Sequence, residues 1–371
     1  MNEKIQEREG YEMLNNKNAR RMTVLVIAFL ISVFPVFSGM TLAEAKTITL
    51  SYAESGPPSG LGGAFVNIMK EEIEKATDNQ VTIEVFWQGS LLKGKEILEG
   101  VKNGMVDMGY VLPAYFPKQL FVHNAFTLFP QGPTGFKNVV SAITRSFETL
   151  PEFGEELSKW DQRVLYMRFM LPMALTSTRP VEKLEDFKGM KIRASSSAYL
   201  KALQGAGANP VSVPWGDCYM ALQTGTVDGV FTNFDGIHAT KLHEPGRHIF
   251  TTRQLWVPMP IFVTINNKTW QKLPEDIRDK MLKAQEPILA RFAELFEKEW
   301  DRIVEDQKKE GATIVRASDK DIEDFVSLQA WNDLRAEWSA EAPAMGVKDP
   351  QHFLDTLGKI IGEEIDKEKK Q

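Results

Sequence analysis

Cysteine is nearly absent: Cys218 stands alone in 371 residues, so no disulfide can form within the chain. Exported proteins also exist without disulfides, so this shortage leaves the compartment open. Histidine is scarce too, with His123, His238, His243, His248 and His352 the full set, which leaves little material for a metal centre or a nucleophile–base pair. No G-x-S-x-G elbow occurs. Positive charge is in deficit, 44 Lys and Arg against 50 Asp and Glu for a formal net charge of -6, which argues against nucleic acid as a partner. A membrane-spanning run is also missing: the apolar stretch 23–37 has about 15 residues, where a spanning helix needs ~20.

Two motif-like stretches fail on chemistry. Residues 89–96 approach a phosphate loop, but Glu96 stands where a hydroxyl should hold magnesium. The stretch His243-Glu244-Pro245-Gly246-Arg247-His248 has the wrong spacing for a zinc-protease helix, and Pro-Gly breaks it. Cys218 lies on an apolar helix face and reads as a small core residue. No cofactor and no metal are expected.

With 43% hydrophobic and 25% charged residues, the chain is globular and long enough for two domains with separate cores. Lys17, Arg20 and Arg21 precede the apolar run, and Ala43-Glu44-Ala45 offers a cleavage site before Lys46. Residues 1–45 therefore read as a signal peptide, with the Sec and twin-arginine routes both open, and the remainder as an exported, periplasmic protein.

From residue 47 the chain alternates strand and helix patterns. Ile48, Leu50 and Tyr52 mark one face of a strand, and the Gly/Pro-rich loop 54–63, headed by the candidate contact Glu54, leads into an apolar helical stripe. Such alternation predicts parallel sheets with helices on both faces. Val101-Lys102-Asn103-Gly104-Met105-Val106-Asp107 shares its grammar with Leu222-Gln223-Thr224-Gly225-Thr226-Val227-Asp228, helix end, glycine, one residue, Val-Asp, strand. One such unit in each half predicts two similarly built lobes with a ligand between them. Tyr115 and Phe116, between Pro113 and Pro117, are the aromatic candidates for the cleft. Residues 255–266 read as a strand crossing back to the first lobe, and a helix from Pro287 to about Lys309 is long enough to bridge both. Two amphipathic helices, about 319–340 and 350–367, close the chain.

The central run, residues 189–233, holds two strand–turn–helix units. Arg193 ends the first strand, at the sheet edge where α/β folds bind ligands. Its planar fork suits a carboxylate, although a structural ion pair is the competing reading. Asp186-Phe187-Lys188-Gly189-Met190-Lys191-Ile192-Arg193, Gly207-Ala208-Asn209-Pro210 and Tyr219-Met220-Ala221-Leu222-Gln223-Thr224-Gly225-Thr226-Val227-Asp228-Gly229 resemble the extracytoplasmic solute receptors of TRAP transporters, the DctP family. The resemblance extends more loosely over nearly all of the chain after residue 46. It implies an α/β, two-lobed, type II-like periplasmic binding protein fold bridged by a long helix. Lobe I would hold 46–170 plus about 258–297, and lobe II 171–257 plus about 298–371.

The same resemblance implies that Arg193 clamps a ligand carboxylate, with Arg179 as a second, weaker candidate. Asn233 and Asp235 stand where the family places polar ligand contacts, and Trp215 either packs on the ligand or belongs to the lobe core. After Gly229 this chain reads Val230-Phe231-Thr232-Asn233 where the best-known members read Gln-Glu-Asn-Pro, so no particular ligand carries over. The implied function is reception of a small organic acid and its delivery to TRAP membrane subunits. A periplasmic sensing subunit and a secreted enzyme are the alternatives.

Overall fold

The computed structural model describes residues 47–252, 255 and 260–370. The expected signal peptide lies outside the described residues, as do residues 256–259 of the expected crossing strand. Among the described residues no helix is long and apolar enough to cross a membrane.

The chain begins with β1 (Ile48–Ala53), α1 (Gly60–Ala76), β2 (Val81–Phe86), α2 (Ile97–Lys102), β3 (Met108–Val111), α3 (Phe136–Thr149), α4 (Glu152–Ser158) and β4 (Gln162–Arg168). It then crosses to a second sheet through β5 (Met173–Ser177), β6 (Lys191–Arg193), α5 (Ser197–Gly205), β7 (Asn209–Val211), α6 (Cys218–Gln223), β8 (Gly229–Asn233), α7 (Phe234–Ala239) and β9 (His248–Thr251). The return strand β10 (Ile261–Asn266) rejoins the first sheet. It is followed by α8 (Asn267–Lys272), α9 (Glu275–Lys283), α10 (Gln285–Lys309), β11 (Thr313–Arg316), α11 (Asp319–Val326), α12 (Gln329–Glu341) and α13 (Pro350–Glu368).

Strand order is β2-β1-β3-β10-β4 in the first sheet and β11-β9-β5-β8-β6-β7 in the second. The two share one plan. β1 pairs in parallel with β2 and β3, as β6 does with β7 and β8. An antiparallel strand delivered from the other lobe, β10 or β5, then lies beside β3 or β8. The repeated Gly-x-Val-Asp units serve the same purpose in each. Gly104 and Gly225 take φ of +72° and +70°, a left-handed turn open to glycine at little cost. Asp107 Oδ2 then accepts from Ser51 N–H of β1 at 2.9 Å, and Asp228 Oδ2 from Lys191 N–H of β6 at 2.7 Å.

The two crossings lie together, with Met173 N–H donating to Leu255 O at 2.9 Å and Thr252 Oγ1 to Met173 O at 2.5 Å. Helix α10 spans both lobes over its 25 residues, about 37 Å at ~1.5 Å per residue. Its first half packs Phe292 against Phe65 of α1, with centroids 5.0 Å apart. Its second half packs Trp300 against Phe234 of α7 at 4.5 Å. Pro287 sits in the first turn, where a missing N–H breaks no helical bond.

Two expectations shift. The helix expected over about 319–340 is two, α11 and α12, parted at Ser327 and Leu328. The last helix, expected in lobe II, packs against α3 of the first lobe, where Glu368 accepts from Thr134 and Gly135 N–H at 2.7 and 2.8 Å. Arg145 of α3 also pairs with Glu363 and Glu364 of α13.

Candidate ligand-binding site

Between the sheets lies a cleft of about 1040 Å3, counting the part open to solvent. Its walls come from the loop after β1, from β3 and Tyr115, from the crossing 170–173, and from the ends of β6 and β8. These are the carboxyl ends of parallel strands, where side chains reach out of the sheet without breaking its ladder.

Arg193 is 2% exposed. Its Nε donates to Val213 O at 2.9 Å, and its Nη1 is buried with no hydrogen-bond partner among the described residues. Trp215 lies beside it, 5.6 Å from guanidinium carbon to ring centroid, and also faces the cleft. Ser55 Oγ and Tyr199 Oη are likewise buried, unpartnered and on the cleft wall. Leaving such groups without acceptors costs about 1–3 kcal/mol each, more for a charged one. Burial raises the pKa of Tyr115, with the Arg193 charge working the other way, so the phenol stays a neutral donor.

Arg168, at the end of β4, is a cleft residue that the sequence reading missed. Its Nη1 donates to Glu54 Oε2 and Gly62 O, both at 3.2 Å, and its guanidinium lies 5.0 Å from the Tyr110 ring centroid. Burial opposes its charge most strongly, but Glu54 together with Tyr52, Tyr110 and Asp235 outweighs it and raises its pKa. Glu54, fully buried, also accepts from Tyr52 Oη at 3.0 Å and Gly56 N–H at 2.7 Å. Glu54 therefore stands behind the wall as the support of Arg168, and the expectation of direct ligand contact is corrected.

Asn233 and Asp235 line the cleft at the end of β8. Asp235 Oδ1 accepts from Leu171 N–H at 3.0 Å and from Asn233 Nδ2 at 2.7 Å, which ties α7 to the crossing. Burial pushes its carboxyl above the usual range against these bonds.

Two further candidates leave the site. Arg179 is exposed and away from the cleft: β5 runs antiparallel to β8, with Met173 opposite Asn233 at the cleft and Ser177 opposite Gly229 at the far end, so the chain carries Arg179 outward. Phe116 is buried in the first-lobe core and does not line the cleft. Cys218 is buried, and burial pushes its thiol pKa up, which suits packing and not nucleophilic attack. Among the described residues no cluster of His, Cys, Asp and Glu fits a metal ion.

Two lobes of repeated plan, joined by paired crossings and enclosing unsatisfied donors, define a ligand-binding protein of the two-lobed periplasmic type. The chain belongs to the DctP family: the profile described as bacterial extracellular solute-binding protein, family 7, matches residues 52–334. It is 27% identical over 313 residues to a solute-binding protein of Albidiferax ferrireducens, covering 80% of this chain and 90% of that one. It is 28% identical over 262 residues to the C4-dicarboxylate-binding periplasmic protein DctP of Rhodobacter capsulatus, covering 66% and 72%. Among solved structures, the periplasmic ectoine-binding protein from the TeaABC TRAP-transporter of Halomonas elongata superposes with a TM-score of 0.75 at 20% identity, covering 85% of this chain and 99% of that one. The family consists of extracytoplasmic solute receptors, binding components and not enzymes.

Proposed function

We propose that the protein is the periplasmic receptor of a TRAP-type membrane transporter and holds a small organic acid with its carboxylate on Arg193. The observation that carries this reading is a buried guanidinium at the cleft with one N–H group unspent. A carboxylate supplies the missing acceptor and a compensating charge together. Tyr199 and Ser55 add neutral donors from the two sides of the cleft, so one ligand can bind both lobes. The ligands for which two relatives are named, C4-dicarboxylates in one and ectoine in another, are carboxylates and support the class. Membrane subunits are the partners this family serves, and the apolar run at 23–37 with its following Ala43-Glu44-Ala45 supplies the export signal.

The test is mass spectrometry of small molecules released on denaturing the purified protein, wild type beside Arg193→Ala. An acid that co-purifies with wild type and is lost from the variant is expected. Arg193→Lys keeps charge but loses the fork, so it should bind at intermediate or low level. The same acid retained by Arg193→Ala would remove Arg193 from the site.

A further inference from the structure

Helix α7 separates the cleft from α10. Towards the cleft it presents Asp235, Gly236 and Ala239. Its other side meets α10, where Phe234 packs on Trp300 and His238 Nε2 stands 4.0 Å from Asp306. The chain then turns through Lys241, held at a φ of +55°, and brings His243 back onto His238. Their rings lie 14° from parallel with centroids 5.7 Å apart. His243 Nε2 pairs with Glu310, just past the end of α10. Nδ1 of both rings is buried with no hydrogen-bond partner among the described residues. We propose that this stacked pair is a proton-operated catch: neutral rings hold α7, and with it one wall of the cleft, against α10, and proton uptake by the pair releases that wall.

An imidazolium donates from both nitrogens. At either ring the Nδ1–H would then be buried without an acceptor, an arrangement that opposes the charge, and two charged rings in a stack repel each other as well. The surroundings do little to relieve this. From α10 and its end, Glu299, Arg302, Asp306 and Glu310 face the pair. Arg302 already binds Glu299 through two bonds at 2.6 and 2.7 Å and Asp306 through one at 2.7 Å, so a cation stands with those acids. The turn itself carries Lys241 and Glu244, paired at 3.3 Å, and Arg247 and His248 follow at the start of β9. Asp235 sits at the cleft end of α7. The other elements packed on α7 are β5, β8 and the first turns of α1, and their residues 173–177, 229–233 and 60–69 contain no ionisable side chain. Burial, joined by Arg302 and His243, lowers the His238 pKa against Asp306 and Glu299. The native arrangement therefore favours the neutral ring, and its cost appears as pH falls through the ordinary histidine value of ~6.5 and grows until the folded value is passed. Mild acid is thus the signal that loosens the wall.

Hydrogen exchange of the purified, dialysed protein tests the catch, read by mass spectrometry on peptides covering 234–246 with a β1 peptide as reference and with rates corrected for the intrinsic effect of pH. The amides of Thr240, Lys241 and Leu242 bond to the carbonyls of Gly236, His238 and Ile237. They are expected to lose at least tenfold in protection between about pH 7.5 and 5.5, while β1 stays unchanged. The double variant His238→Gln, His243→Gln should abolish the loss with Asp235 still in place. Wild-type protein gives a second reading that needs no variant: the imidazole C–H resonance of His238 should titrate below about 6.5, in step with the loss of protection. Protection over 234–246 that does not depend on pH, an equal loss in β1, the same loss in the double variant, or a His238 resonance that titrates above about 6.5 would each overturn the catch. None of these outcomes bears on the acid reading, which rests on Arg193.

Discussion

At the scale of single residues, the cleft places two acids in opposite circumstances. Glu54 is buried against a cation and two neutral donors, whereas Asp235 is buried with neutral donors alone, Asn233 Nδ2, Leu171 N–H and its own N–H, and burial raises its pKa. A folded-state pKa above the unfolded value means that the native protein holds the proton more tightly. Asp235 therefore costs no stability below the unfolded carboxyl range, near pH ~3.9, and the cost grows as pH rises through its folded value. Asp235→Asn keeps an oxygen for the Leu171 N–H and does not ionise. Its unfolding free energy relative to wild type should rise as pH climbs above the unfolded carboxyl range and level off once pH exceeds the folded value. Urea titrations across that range measure it, and a gap that stays flat or narrows with pH would show that ionised Asp235 is well accommodated. Arg193 was legible in the sequence because it ends a short strand ahead of a serine-capped helix, and Ser196 Oγ does accept from Tyr199 N–H at 3.2 Å. Arg168 was not, because it ends an ordinary strand pattern and gains its role from Glu54, 114 positions earlier. Arg179 misled because it was carried over by resemblance alone, while the direction of β5 takes it away from the cleft.

At the scale of elements, the alternation of strands and helices predicted parallel β1, β2, β3 and β6, β7, β8 together with the turns between them. The antiparallel insertion of β5 and β10 was less legible, since strand direction is set by the lobe from which each arrives and not by its own residues. The repeated Gly-x-Val-Asp unit is the element where local pattern and tertiary role coincide, and the two copies differ in strength. Asp107 accepts from Ser51 N–H, Ser51 Oγ at 2.7 Å and Thr269 Oγ1 at 3.0 Å, so it joins β3, β1 and α8. Among the described residues the Asp228 carboxylate accepts only from Lys191 N–H. Hydrogen bonds to a charged acceptor contribute about 1.5–3 kcal/mol each when partly buried, and less when solvent competes. Asp107→Ala should therefore destabilise by about 3 kcal/mol and Asp228→Ala by about 1 kcal/mol. Denaturant midpoints at constant slope are the measurement. Equal losses would mean that the shared backbone bond carries the unit and the Thr269 contact contributes nothing.

At the scale of the whole molecule, the question is how a ligand held at one wall draws in the other. The two crossings form a short, hydrogen-bonded pair at the cleft floor, and Asp235 ties α7 to the first of them. Helix α10 lies across both lobes, with Phe292 seated on one and Trp300 on the other, so any rotation of the lobes must be absorbed at the crossings or along this helix. A ligand that bonds Arg193 on one side and the first-lobe wall on the other favours the closed arrangement by its differential affinity alone. Shifting a population from 1:99 to 99:1 requires about 5.5 kcal/mol of that difference. An arginine–carboxylate pair with one or two neutral hydrogen bonds from the opposite lobe is of that order. Small-angle scattering with and without the co-purifying acid should show a smaller radius of gyration when the acid is bound. Ser55→Ala should keep part of the binding while weakening the contraction, because it removes a first-lobe donor and leaves the Arg193 clamp intact. Contraction undiminished in Ser55→Ala would shift the bridging role to Arg168 and its neighbours. A bound acid that leaves the radius unchanged in wild type would mean that the lobes are held by α10 and the crossings in one arrangement whatever the cleft contains.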